Sequence, residues 1–220
     1  MKPSPVNEVR EMYDATADSY TEMMDKEIEL PVYAEVLGRL HTRIRNTPGT
    51  LIDTACGSGH MLSMYHERFE PLRALVGVDL SPRMVAITQK RLGSGASVIV
   101  GDMRNLSEIE SCSAAAILNY FAIHHLDAGG VQESIREWYR VLVPGGQLFV
   151  AAWEGTGLID YGDESNISAV RYRSAELSSM ANDADFEITR CDVDPVEDFP
   201  MDAVYLECRK DQHLAFSELA

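Results

Sequence analysis

Between Val6 and Met24 the residues Val9, Met12, Tyr13, Ala17, Tyr20 and Met24 recur at helical spacing, which predicts an amphipathic helix. Pro31 suits the first turn of a second helix carrying Val32, Val36, Leu37, Leu40 and Ile44, and Asn-Thr-Pro-Gly at 46–49 ends it. From residue 50 the pattern changes to short apolar runs alternating with amphipathic segments. The runs predict strands at 50–54, 74–79, 96–101, 114–120 and 147–153, with helices at about 59–69, 82–92 and 127–142. Ser81 is the cap and Pro82 the first residue of the helix at 82–92, and Gly93 is its stop. Runs such as Ala-Ala-Ala-Ile-Leu and Gln-Leu-Phe-Val-Ala-Ala-Trp are apolar on both faces, as a parallel sheet covered by helices requires. The alternation predicts a doubly wound α/β sheet.

After Trp153 the rhythm breaks. Residues 154–173 are irregular and rich in Gly, Asp and Tyr, a length that points to a functional loop. Ser174 then begins a short helix to about Ala184. Two more strands follow, near 186–192 and 203–209, joined by the acidic stretch Asp-Pro-Val-Glu-Asp-Phe-Pro.

The chemistry concentrates at the carboxyl ends of the first two predicted strands. Residues 50–59 read Thr-Leu-Ile-Asp-Thr-Ala-Cys-Gly-Ser-Gly, and 76–79 read Val-Gly-Val-Asp. Gly57 and Gly59 permit a tight turn and close backbone approach to a ligand, and the following helix aims free N–H groups at its polar end. Asp79 lies 20 residues beyond Gly59, the separation at which a second-strand acid meets a ribose diol. A nucleoside-containing cofactor is expected. A nicotinamide dinucleotide fits poorly, because the third fingerprint glycine is replaced by Leu62 and because Asp53 would repel a pyrophosphate. A cationic amino-acid head group would instead be welcomed by Asp53.

Composition narrows the partners. The 220 residues suit one domain with a small cap. A net charge of −16 disfavours contact with a nucleic-acid backbone. Cys56, Cys112, Cys191 and Cys208 are scattered, which suggests reduced thiols rather than a disulfide frame or zinc site. No metal site is expected from His124 and His125, whose adjacent side chains diverge. The N-terminus lacks a signal-peptide core and no run is long enough to span a membrane, so a cytoplasmic protein with no membrane partner is expected.

These motifs together resemble the class I S-adenosylmethionine-dependent methyltransferases, over nearly the whole chain. The resemblance is carried by Leu-Ile-Asp-Thr-Ala-Cys-Gly-Ser-Gly, Val-Gly-Val-Asp-Leu-Ser-Pro-Arg-Met, Val-Gly-Asp-Met at 100–103, Asn119-Tyr120, His124-His125-Leu126 and Val-Pro-Gly-Gly. Tyr13-Asp14-Ala15-Thr16-Ala17-Asp18-Ser19-Tyr20 resembles the lid helix of the small-molecule branch. The resemblance implies a Rossmann-like seven-stranded sheet, mostly parallel with the last strand antiparallel. It divides one domain into a helical lid (1–46), a cofactor-binding core (50–153), an acceptor-side insertion (154–173) and a C-terminal helix and hairpin (174–220).

For S-adenosylmethionine, the resemblance places Asp53, Ala55, Cys56, Gly57 and Gly59 around the methionine end. Asp79 receives the ribose hydroxyls, Asp102 the adenine amine with the Met103 amide beside the ring, and Leu80 and Met84 form apolar walls. Asn119 and Tyr120 close the crevice edge, and Tyr20 lies over the cofactor, where it excludes water from the reacting methyl. Two departures stand out: Ala55 replaces the first loop glycine, and Ala184-Asp185-Phe186 replaces Ala-Gly-Phe. His124 is a candidate general base or acceptor-orienting group, its unperturbed pKa of about 6.5 being apt, or else a structural histidine beside the helix cap at Asp127. Asp160, Tyr161, Asp163, Glu164, Arg171 and Tyr172 populate the insertion where the family builds its acceptor pocket. The implied activity is methyl transfer to an O or N atom of a small molecule, by a monomer or homodimer without nucleic-acid partners. The rival reading is a non-catalytic cofactor-binding module.

Overall fold

Alternation along the strands sends successive residues into two apolar layers, and this sets the architecture. In the computed structural model, which describes residues 2–159, 167–196 and 200–211, strands β1 (Thr50–Asp53), β2 (Leu75–Asp79), β3 (Ala96–Val100), β4 (Ala114–Tyr120) and β5 (Leu142–Trp153) are parallel. Helices α3 (His60–Arg68), α4 (Pro82–Leu92) and α5 (Ala128–Val141) connect them, after α1 (Val6–Glu27) and α2 (Pro31–Ile44). A small ladder of β6 (Leu158–Ile159) and β7 (Ala169–Val170) precedes α6 (Ser174–Asn182), β8 (Phe186–Pro195) and β9 (Asp202–Lys210). The seven-stranded sheet has the order β3-β2-β1-β4-β5-β9-β8, with β9 antiparallel to both neighbours. Chain order reverses between β1 and β4, which opens a crevice at their carboxyl ends.

Ile52, Ile117 and Leu148 cluster with Trp138 of α5 and Leu177 of α6. Leu51, Leu118 and Phe149, one residue out of phase, cluster with Leu37 and Leu40 of α2 and Tyr65 of α3. All eleven of these side chains are at most 1% exposed, and burying each large apolar one contributes about 1.5–3 kcal/mol. The layers therefore fix where the strand ends, and the loops they carry, must lie.

Local signals match the sequence reading closely at α4. The Ser81 hydroxyl accepts from Met84 N at 3.1 Å, Pro82 opens the helix, and Gly93 ends it at φ +59°. Asp185 adopts φ +63°, so the aspartate fills the left-handed position after α6 that glycine takes elsewhere. Two differences have clear causes. The paired part of β5 resumes at Gln147 after a bulge, where Gly145 has φ +80° and a Cβ on Gly146 would lie 2.8 Å from Val143 O. The region after Trp153 is not wholly irregular, because Leu158 and Ile159 pair with Val170 and Ala169. Ser4 N donates to Ser168 O at 2.9 Å, which ties the segment before α1 to that ladder.

Helix α1 buries only Val9 and Ala17 completely and is held mainly by polar ties. The Asp14 carboxylate accepts from the Ser81 hydroxyl and from Arg83 N, Asp18 pairs with Arg83 at 2.5 Å, and Asp25 meets His60 at 2.7 Å and Arg91 at 2.9 Å. The exposed Asp18–Arg83 pair holds weakly, while the ties to Ser81 and His60 end on buried partners. The helix is thereby placed as a roof.

Candidate functional site

Beneath α1, at the carboxyl ends of β1, β2 and β4, lies a cavity. Val6, Val9, Tyr13 and Tyr20 of α1 roof it. Thr54, Ala55 and Gly57 come from the loop after β1, Asp79, Leu80 and Met84 from β2 and α4, and Asp102 and Met103 from the turn after β3. Tyr120, Phe121, Ala122, His125 and Leu126 complete the wall beyond β4.

The loop after β1 explains its own residues. Gly57 has φ +51°, and a Cβ there would stand 3.2 Å from the Tyr20 ring, so the lid approaches bare backbone. Gly59 serves packing: at φ +79°, a Cβ would strike Thr88 Cγ2 at 2.7 Å, so the glycine lets α3 begin against α4. Cys56 turns inward, its Sγ 2.9 Å from where a Gly77 Cβ would be, and burial pushes its thiol well up. Gly59 and Cys56 thus shape the loop without lining the cavity, unlike the cofactor contacts expected of them.

Asp79 anchors this loop. Its Oδ2 accepts from Gly57 N at 2.8 Å and its Oδ1 from Ser81 N at 2.9 Å. Burial raises its carboxyl, the two backbone N–H groups oppose that rise, and the charge of Asp14 adds to it. A carboxylate retains lone pairs for further donors, so a ligand diol can still be received. Asp53, 4% exposed, stands behind the loop rather than in the cavity wall, with Oδ1 accepting from Ala55 N at 3.3 Å. Burial pushes it up to about 7, with the Asp79 charge adding to the effect.

Asp102 has a partner the sequence reading did not foresee. Arg104 grips it through Nε–Oδ1 at 3.0 Å and Nη2–Oδ2 at 2.5 Å. Burial works to raise the Asp102 carboxyl, but the Arg104 guanidinium and backbone N–H outweigh it and hold the group below its usual value. Trp138 Nε1 donates to Met103 O at 3.1 Å, so α5 fixes this turn from below.

At the β4 end, Asn119 is fully buried and outside the cavity wall. Its Nδ2 donates to Thr54 Oγ1 at 3.0 Å and its Oδ1 has no partner. Phe121 holds φ +51°, an unusual conformation for a bulky residue. That turn carries the two histidines. His124, from sequence a candidate base or acceptor-orienting group or else a structural histidine, is 3% exposed and does not line the cavity; burial drives its ring well below the ordinary value, and nearby His125 adds to that. His125 does line it, with Nε2 2.9 Å from the Tyr13 hydroxyl. Tyr20 sits edge-on to Tyr13 at 5.9 Å between ring centroids, its phenol raised by burial and then by Asp79, Glu27 and Asp53. Asp160, Tyr161, Asp163 and Glu164 lie outside the described residues. Tyr172 donates to Leu126 O at 2.5 Å and supports the wall, while Arg171 does not line it. Sequence periodicity contained the signal for Tyr13, two turns before Tyr20 on one face; nothing local singled out Phe121.

Residues 51–146 match a family described as a methyltransferase domain. Relatives and solved structures point the same way. Over 152 residues the chain is 30% identical to a probable tRNA methyltransferase 9B of Bos taurus, covering 66% of this chain and 29% of the relative. The chain thus spans less than a third of that relative's length. A methyltransferase bound to the Trm112 activator of Haloferax volcanii superposes with a TM-score of 0.73 at 20% identity, covering 93% of this chain and 98% of the other. The 1,6-didemethyltoxoflavin-N1-methyltransferase of Burkholderia thailandensis, with S-adenosylhomocysteine bound, gives 0.72 at 16% identity, covering 94% and 91%. These two establish the fold.

The cavity offers the donor set that the S-adenosylmethionine expected from the sequence would need: a buried acid at the end of β2, a second at the turn after β3, apolar Leu80 and Met84 between them, and exposed backbone at Gly57. Among the described residues, no group of three or more His, Cys, Asp or Glu side chains could hold a metal ion, and no helix is long and apolar enough to cross a membrane.

Proposed function

We propose that this chain transfers a methyl group from S-adenosylmethionine to an O or N atom of a small-molecule acceptor. The observation that carries the reading is the roof: Val6, Val9, Tyr13 and Tyr20 of α1 cover the crevice at the β4 end, leaving room for a compact acceptor. In this reading Asp79 receives the ribose hydroxyls, and Asp102, shared with Arg104, the adenine edge beside Met103. Asp53 acts on the methionine end through space, and Asn119 positions Thr54 and Met103 rather than touching the cofactor. When bound, the cofactor supplies the electrophilic methyl. The chain's part is alignment and exclusion of water: Tyr20 and Tyr120 wall the reacting centre, and α1 must move for exchange. The intact loop, both acids and the tyrosine lid favour catalysis over a non-catalytic binding module.

The curated relative supports a second reading, a tRNA acceptor. The charge balance weighs against it. The chain carries 35 acidic against 19 basic residues, and Arg83, Arg91 and Arg104 near the cavity are each paired with a carboxylate. Phosphate contacts need such cations available.

S-adenosylhomocysteine at a hundredfold excess over its Kd is expected to add about 2.7 kcal/mol to stability and about 5–10 °C to the Tm, with no shift from nicotinamide dinucleotides. The acceptor class is then read by mass spectrometry after incubation with phenols, amines, N-heteroaromatics and unmodified tRNA, the tRNA arm with and without a Trm112 protein. Methylation of tRNA alone overturns the small-molecule reading, and cofactor binding with no product on any arm favours the binding module.

A further inference from the structure

The Tyr13–His125 contact joins two parts of the chain 112 residues apart, one on the roof and one on the wall beyond β4. The rings meet edge-on at 5.5 Å, and both residues line the cavity. His125 is 94% buried on the complement of its 6% exposure, and its Nδ1 has no hydrogen-bond partner. An unpaired buried ring nitrogen is costly, and a ligand donor would relieve it. The lining at this end is mostly apolar: Val6, Val9, Phe121, Ala122 and Leu126, with Tyr120 beside them. Among the described residues, no Lys or Arg lines the cavity, and the two acids that do belong to the cofactor half.

Resting on the methyl-transfer reading above, we infer that α1 completes the acceptor half of the site by joining Tyr13 to His125, and that His125 Nδ1 receives the hydrogen bond of the acceptor's reacting O–H or N–H, selecting neutral, apolar-bodied acceptors such as phenols and N–H heteroaromatics. The proton inventory closes. In the tautomer this inference requires, Nε2–H donates to the Tyr13 oxygen, and Nδ1 keeps its lone pair and accepts. The acceptor atom uses a lone pair to bond the methyl carbon, the carbon–sulfur bond breaks with its pair left on sulfur, and the acceptor's proton passes to Nδ1. Burial holds the His125 ring down to about 4, so the ring is neutral and able to accept at pH 7, and it gives the proton back to water when the roof opens. Carboxylate or phosphate acceptors find no counter-charge among the described residues that line this end. His125 is thus the acceptor-contacting residue, and Tyr13 is a positioning residue that fixes its tautomer.

The test uses the full chain saturated with S-adenosylhomocysteine, with 2-naphthol and 2-methoxynaphthalene as probes that differ by one donor. Calorimetry on the wild type is expected to show about a tenfold preference for the naphthol. His125→Leu should reduce that preference to about twofold or less, with S-adenosylhomocysteine affinity unchanged. Tyr13→Phe keeps the packing, and the ring ¹⁵N spectrum should then show His125 shifted from a single neutral tautomer to a mixture. In the wild type, 2-naphthol should move the Nδ1 resonance and its methyl ether should not, a reading that stands even if His125→Leu fails to fold. A wild type that binds S-adenosylhomocysteine but shows no hydroxyl preference, or a folded His125→Leu that keeps it, overturns this inference and leaves the methyl-transfer reading standing. Failure to bind S-adenosylhomocysteine overturns that reading itself.

Discussion

Replacing Asp79 by alanine is expected to weaken S-adenosylmethionine binding about 30- to 800-fold, a loss of about 2–4 kcal/mol. Two effects add. The charged acceptor for both ribose hydroxyls disappears, and so do the bonds from Gly57 N at 2.8 Å and Ser81 N at 2.9 Å that hold the loop to the end of β2. Asp102→Ala should cost less, about 1–2 kcal/mol, because one amine contact is lost. Its partner also matters: Arg104 already occupies both Asp102 oxygens, so an adenine amine receives a shared acceptor. Titration calorimetry on both variants decides the matter, with circular dichroism to confirm folding. Equal and negligible losses would remove both acids from the cofactor site.

The difference between the two acids shows where sequence was informative. Asp79 follows from spacing because a ribose diol, a second-strand end and a glycine loop stand in a fixed relation in parallel sheets. Ser81, Pro82 and Gly93 bound α4 for reasons confined to a few neighbouring residues, and Asp185 could be read as a glycine substitute because asparagine and aspartate tolerate positive φ. Orientation was the harder problem. His124 and His125 are adjacent, both are buried, and only the path of the turn after Phe121, itself at φ +51°, decides that His125 reaches the wall. Cys56 and Gly59 belong to the right loop, yet one packs on Gly77 and the other on Thr88. Those contacts depend on how closely α3, α4 and β2 approach, which no local pattern encodes. Arg104 was equally hidden, since a charge two residues from an acid is common on any surface turn.

Asp53→Asn is expected to stabilise the protein at pH 8 and to weaken its cofactor affinity, two effects of opposite sign from one change. Burial raises the folded-state pKa of Asp53 to about 7 from the ordinary 3.8. Between these values the folded chain keeps a proton that the unfolded chain has lost. Stability from this group is therefore fully present below about pH 4 and is lost progressively as pH rises through 7. The span corresponds to about 4 kcal/mol at one pKa unit per 1.36 kcal/mol. Asparagine carries no charge to desolvate and its oxygen can still accept from Ala55 N, so the variant should recover most of that loss above pH 7. Asp79, also raised by burial, slopes the same way in both proteins, so the difference between them isolates Asp53. The cofactor's cationic methionine end favours the ionised carboxylate. Binding to the wild type should therefore expel a proton and tighten as pH rises from about 6 to 8, and the variant should lose both the tightening and the proton release. Urea unfolding at pH 5 and pH 8 reads the first effect, and calorimetry in buffers of different ionisation enthalpy reads the second. A variant no more stable than wild type at pH 8, with proton release intact, would mean that Asp53 is ionised in the folded chain and that the charge meeting the cofactor's methionine end comes from elsewhere in the loop.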